Sequence, residues 1–277
     1  MDQAVAPITF GQRLRRWRGQ RGLTQLALAL NAEISTRHLS WLESDKSVPS
    51  RAMVLRLAEQ LDVPLRQRNA LLAAAGYAPL YAERGLTDAA MAAARDALQS
   101  LLDAHEPAPA LAVDRHWNLI AANRMVGLLT GAVAPHLLAR PLNVLRLSLH
   151  PEGLAPMIEN AATWREHVLA RLARQAQASG DPVLSALHRE LAAYPLPHGA
   201  GPPLPADAVA VPLVLHTPHG RLSFITTITV FGAPHDLLLS ELAVETLLPA
   251  DAATAAALRA LLASASASAS ASQAPAA

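Results

Sequence analysis

Between Phe10 and Ala75 the chain is a run of short amphipathic helices parted by turns of three or four residues. This cadence constrains the fold more than any other feature. In Phe10-Gly-Gln-Arg-Leu-Arg-Arg-Trp17, the apolar residues Phe10, Leu14 and Trp17 recur at helical spacing, with arginines on the opposite face. Arg21-Gly22 ends this helix. Thr24 is placed to cap a second helix, Gln25–Leu30, and Ser35 a third, Ser35–Glu43, which turns Leu39 and Leu42 inward. Ser50 opens a fourth, carrying Met53, Val54, Leu57, Ala58 and Leu61, and Asp62-Val63-Pro64 stops it. A fifth, Leu65–Ala75, ends at Gly76. Five such helices make a compact all-α domain.

Thr87–His105 is expected to form one further helix, with Met91, Leu98, Leu101 and Leu102 on a single face. Beyond Pro107 the pattern changes. Ala108–Val113 and Asn118–Ala122 are short apolar runs around Asp114–Trp117, a strand, turn and strand. Helices follow near Asn123–Leu129, Asn160–Gln177 and Pro182–Ala193, then a Pro/Gly-rich loop, Pro195–Pro205. Ala210–Thr217 and Arg221–Phe231 are β segments, rich in β-branched residues and joined by the turn signal His219-Gly220. A last strand near Leu237–Leu242 and a helix near Asp251–Leu262 complete an α+β domain, and Ser264–Ala277, lacking apolar periodicity, is expected to be disordered.

Charge separates the two parts. The net charge is only +1, yet residues 1–84 hold 12 basic against 7 acidic side chains, and residues 85–277 hold 11 against 15. A basic small module followed by a mildly acidic larger one points to nucleic acid as partner of the first. The chain has no cysteine, which excludes disulfide scaffolds, thiolate metal sites and thiol nucleophiles, and leaves histidine and carboxylate as metal donors. No long uncharged apolar run or signal core is present, so a cytoplasmic protein that does not enter a membrane is expected.

The second and third helices have the ingredients of a helix-turn-helix, in which one helix crosses the phosphate backbone and the next enters the major groove. Gln25 stands at a helix N-terminus, where its amide and the backbone N–H groups suit a phosphate oxygen. Ser35, Thr36, Arg37, His38 and Ser40 occupy the start and outer face of the reading helix. Arg37 is the favoured base reader, because a guanidinium reaches guanine O6 and N7 together. Arg13 and Lys46 are assigned to the DNA backbone.

From LRRWRGQRGLTQLALALNAEISTRHLSWLESDKSVPS onward the chain resembles the Cro/repressor-like (XRE-type) helix-turn-helix, in the branch found in MmyB-like transcription regulators. The resemblance continues through DRHWNLIAANRMVGLL, NVLRLSLHPEGLAP and LSFITTITVFGAPHDLLLSELAVETLLPAD. Glu33 and Asp45 depart from it, standing where glycine is frequent, so the backbone phosphate contact is assigned to Lys46 and not to Asp45. The resemblance implies an α+β, PAS-like second domain, a mixed sheet with helices on one side, associated with an apolar ligand such as a fatty acid. The resemblance covers roughly residues 11–262, and the chain is divided into a helix-turn-helix domain 8–80, a linker helix 81–106, a ligand-binding domain 107–262 and a tail 263–277.

In Asn143–Glu152 apolar and polar residues alternate, so Arg146, Ser148 and His150 share one face if the segment is extended, and could hold a carboxylate head group. The alternative is a surface strand whose Arg146 pairs with Glu152 or Glu159. Asn143, Arg146 and His150, with the aromatic residues Trp117, Trp164 and Phe224, are the candidate ligand contacts. No nucleophile elbow, His-Glu-x-x-His helix or phosphate-binding loop occurs, and no catalytic residue, metal site or resident cofactor is expected. His216 and His219, three apart without a carboxylate near them in sequence, carry a structural reading. The expected protein is a homodimeric transcription regulator whose operator binding responds to an apolar ligand; the alternative is a constitutive DNA-binding factor whose second domain only dimerises.

Overall fold

The computed structural model describes residues 8–131, 133–197, 210–232, 234 and 236–272. Two compact units emerge, one of residues 1–84 with 233–240, the other of residues 85–232 with 241–277.

The first unit contains α1 (Phe10–Gln20), α2 (Gln25–Asn31), α3 (Thr36–Glu43), α4 (Arg51–Gln60) and α5 (Leu65–Ala74). The hydroxyl caps act as their positions suggest: Thr24, Ser35 and Ser50 accept from the backbone N–H of Ala27, His38 and Met53. Thr9 and Gln12 cap α1 reciprocally. Leu14, Leu28, Leu39, Leu42, Leu57, Leu61 and Leu72 are fully buried at the centre. At about 1.5–3 kcal/mol for each buried leucine, against about 1 kcal/mol for a cap, the shared core dominates the stability of these short helices.

In the second unit five strands run antiparallel in the order β2-β1-β5-β4-β3. They are β1 (Ala110–Val113), β2 (Leu119–Ala122), β3 (Leu213–Thr217), β4 (Gly220–Val230) and β5 (Ala243–Pro249). Gly220, at φ +101°, makes the tight β3–β4 hairpin. The helices of this unit are α6 (Ala92–Ala104), α7 (Arg124–Leu129), α8 (Val144–Leu149), α9 (Ala161–Ser179), α10 (Pro182–Ala192) and α12 (Ala252–Ser272), whereas α11 (Leu237–Glu241) falls, through Ser240, in the first unit. The sheet is antiparallel throughout instead of mixed, and both faces carry apolar clusters. Successive β1 residues point to opposite sides, so Leu111 and Val113 join a core with α9 and α10 while Ala110 and Ala112 pack with Leu98 and Leu102 of α6.

Four local expectations are corrected. Residues 144–149 form a helix where alternation suggests a strand: Asn143 Oδ1 accepts the Arg146 N–H and starts the turn, and Leu145 and Leu149, four apart, enter the core. Leu237–Glu241 is helical because the Asp236 carboxylate accepts the Leu238 N–H, and the strand begins only at Ala243. The helix expected over 87–105 begins as a 3-10 turn, Ala89–Met91, behind the Asp88 cap. At the C-terminal end α12 continues to Ser272. Alanine is the best helix former, and the interleaved Ser264 and Ser266 hydroxyls donate back to the carbonyls of Leu261 and Leu262. Most of the 195–205 loop and residues 273–277 lie outside the described residues.

Candidate functional site

The α2–α3 pair is locked from below by one carboxylate. Glu43, 8 % exposed, accepts Arg18 Nε and a second guanidinium nitrogen at 2.6 and 3.0 Å and Gln25 Nε2 at 2.7 Å, while Arg18 also donates to the Leu23 carbonyl. Hydrogen bonding to Glu43 raises the Arg18 pKa above its ordinary value. The end of α3, the start of α2 and α1 are thereby fixed to one another. Gln25, read from sequence as a phosphate contact, is a member of this network.

The outer side of α3 is polar. Thr36 and Arg37 are exposed, His38 and Ser40 half-buried, and Ser35 is spent as the N-cap. The Arg37 guanidinium lies 4.6 Å over the exposed Trp41 ring, one turn on. Stacking occupies the flat face of a guanidinium and leaves its N–H edge free for bidentate contacts, so Trp41 presents the edge of Arg37 without consuming it. Glu33 and Asp45, at φ +54° and +56°, occupy the left-handed conformation that glycine adopts without strain. Asp45 accepts the Thr9 hydroxyl at 2.5 Å and the Gly11 N–H at 2.9 Å, so its carboxylate serves the N-terminus of α1. Lys46 beside it is exposed, and Arg13 is half-exposed on α1 with its Nε 3.4 Å from the Ile8 carbonyl.

In the second unit a cavity of about 390 Å³ lies between the sheet and α7, α8 and α9. Leu119, Leu145, Leu147, Leu213, Leu215 and Leu247 supply much of an apolar wall, and Trp164 contributes a face. Two opposite charges stand in this wall: Arg171 of α9 donates to Glu245 of β5 at 3.0 Å, with side chains 16 % and 10 % exposed. The guanidinium carbon sits 4.3 Å over the Trp117 ring, and the buried Arg171 Nε has no hydrogen-bond partner among the described residues. Trp117 donates its own N–H to Gln175, and Trp164 donates to Ser148. His167 stacks on Trp164, and its pKa is lowered by burial and by the positive charges of Arg171 and Arg174. Arg140, exposed, stands at the rim.

Of the ligand contacts expected from sequence, Trp164 lines the cavity and Trp117 lies behind it, holding Arg171. Phe224 is fully buried in the core, and Asn143 is committed to the α8 cap and the His116 carbonyl. Arg146 and His150 share a face, but through the helix. Arg146 is paired bidentately with Glu190, neither Glu152 nor Glu159, and this bond holds the Glu190 pKa below its ordinary value. The Tyr194 hydroxyl also donates to Glu190, and its pKa is pushed up to about 12 by burial and this bond. The fold brings to His216 the carboxylate its sequence neighbourhood lacks, since Glu159 lies 2.9 Å away.

Arg171 and Glu245 are absent from the sequence reading. Their signal is a charge on an otherwise apolar stripe: Arg171 follows Trp164 and Val168 along one face of α9, and Glu245 sits between Ala243 and Leu247 on one face of β5.

No curated protein matches the chain. A helix-turn-helix domain family matches residues 11–76, and no helix of the described residues is long and apolar enough to cross a membrane. A second family, the MmyB-like transcription regulator ligand binding domain, matches residues 94–261, more than half of the chain. The chain, a helix-turn-helix followed by a ligand-binding domain, belongs to the MmyB-like DNA-binding transcription regulators.

Proposed function

We propose that this regulator is a cytoplasmic homodimer whose operator binding is modulated by one fatty-acid-like molecule held in the second unit's cavity. The carrying observation is the cavity: its volume falls in the roughly 300–1,000 Å³ range of small-molecule sites, its wall is mostly apolar, and it offers a few polar groups in one place. The unpartnered Arg171 Nε supplies a donor for one head-group oxygen, while Glu245 keeps the guanidinium from needing a full counter-charge. The five-stranded antiparallel order supports the PAS-like reading of this domain. A single reading helix covers too few base pairs for genomic specificity, which favours a dimer on two half-sites about one helical turn apart. Ligand shifts operator affinity only if the DNA-competent and incompetent states bind it differently.

Native mass spectrometry of the full chain, followed by operator titrations with and without hexadecanoate, tests this reading. One bound acyl chain per protomer and a shift in operator affinity of at least about fivefold are expected, within the usual size of such couplings. Leu215→Trp, which fills the cavity, should abolish both effects and keep basal operator binding. Operator affinity indifferent to fatty acid would leave the second unit as a dimerisation module.

A further inference from the structure

His136, His150 and Glu152 lie apart from the cavity's charged pair and have no part in the reading above. They come from two segments. His136 belongs to the 3-10 turn Pro135–Leu138; His150 is the C-cap of α8, and Glu152 follows two residues later. The segments are held together by backbone: the Ala134 N–H donates to the Glu152 carbonyl at 3.2 Å, and the Leu154 N–H to the Leu147 carbonyl at 2.8 Å. Gly153 closes this turn so tightly that a Cβ there would meet the Leu147 carbonyl oxygen at 2.2 Å. One nitrogen from each histidine and one oxygen of Glu152 all lie within 4.8 Å of one another.

The donor set is specific. Two imidazoles and one carboxylate suit a borderline first-row ion such as zinc, whereas calcium and magnesium require oxygen throughout. Three protein donors plus water is the coordination of an open zinc site. Bonds of about 2.0–2.2 Å require the donors to close to roughly 3.5 Å, and His136 and Glu152, with side chains 59 % and 66 % exposed, are free to rotate inward. The His150 ring is held more firmly: it stands edge-on to Tyr194 at 5.1 Å, and its Nδ1 accepts the Glu152 N–H at 3.1 Å, a bond that coordination would exchange. Among the described residues no arginine stands against the site, because Arg146 is taken by Glu190 and the Glu152 carboxylate faces His136 itself, 3.6 Å away.

We propose that His136, His150 and Glu152 bind one divalent ion of the zinc class, which pins the 135–138 turn to the end of α8. The stretch between these anchors contributes Arg140, Leu142, Val144, Leu145, Leu147 and Ser148 to the cavity. The ion would therefore brace one wall of the cavity, whatever molecule the cavity takes.

The full chain, stripped with a chelator and titrated calorimetrically with Zn²⁺ alone, should take up one ion per protomer, and Co²⁺ in its place should give the visible band of a four-coordinate site. His136→Ala and Glu152→Gln should each weaken uptake at least about tenfold without changing the melting temperature, both side chains being exposed. His216→Ala, at the separate pair with Glu159, should leave uptake unchanged. Hydrogen exchange over residues 135–152 should slow on addition of Zn²⁺ in the wild type and not in His136→Ala. No uptake by the wild type, uptake indifferent to His136→Ala and Glu152→Gln, uptake lost with His216→Ala, or binding without added protection of 135–152 each overturns the assignment.

Discussion

At Arg37 one side chain is asked to be ordered and available at once, and Trp41 resolves the conflict by holding the guanidinium's face 4.6 Å from its ring. Both residues are exposed, so little folding energy depends on them. Arg37→Ala should weaken operator binding by about 1–3 kcal/mol and relax preference at one base position, with melting within about 0.5 kcal/mol of wild type; parallel titrations against an operator and a single-base variant check it. Lys46→Ala should instead weaken binding to all DNA alike and lower the salt slope by about 1. An unaltered base preference in Arg37→Ala would place the reading residue elsewhere on α3. Asp45 shows the opposite economy: its carboxylate is turned back to Thr9 and Gly11 and is not presented to a partner.

Elements were legible in the sequence wherever local chemistry and packing agree. The caps Thr24, Ser35 and Ser50 and the leucine spacing of the first unit announce its helices, and the β-branched run of β4 announces its strand. Legibility fails where a side-chain cap or distant packing decides. Alternation in Leu145, Leu147 and Leu149 has the period of a strand, yet the Asn143 cap and the core behind α8 select a helix. The candidate site was half legible for a related reason. The exposed face of α3 follows from one helix's periodicity, whereas Arg171 and Glu245 meet only when α9 is laid across β5, 74 residues away. That meeting is energetically exacting. Arg171→Ala leaves Glu245 buried without its cation and should destabilise the second unit by about 3–5 kcal/mol, while the double change Arg171→Met with Glu245→Leu should recover most of the loss. Denaturant titration monitored by hydrogen exchange over α9 and β5 distinguishes these outcomes; equal losses in the single and double variants would show that the pair is not coupled.

For the molecule as a whole, the most consequential feature is that the first unit is assembled from two stretches of chain. Leu237, 3 % exposed, donates its N–H to the Ala82 carbonyl at 2.9 Å, and the buried Asp236 faces Arg84 at 3.5 Å. A fragment comprising residues 8–84 alone loses both partners. It should still form the α1–α5 core, because the buried leucines lie within it, but residues 77–84 should exchange backbone hydrogens faster than in the full chain; equal exchange rates would show that the second stretch adds nothing. Because the chain leaves this unit, returns to it and leaves again, a cut after residue 84 separates the DNA-reading part from a stretch that belongs with it. Joining that part to a foreign sensor there transfers the reading helix but strands residues 236–240 with the donor, so a chimaera that keeps the whole unit has two junctions, as an insertion does.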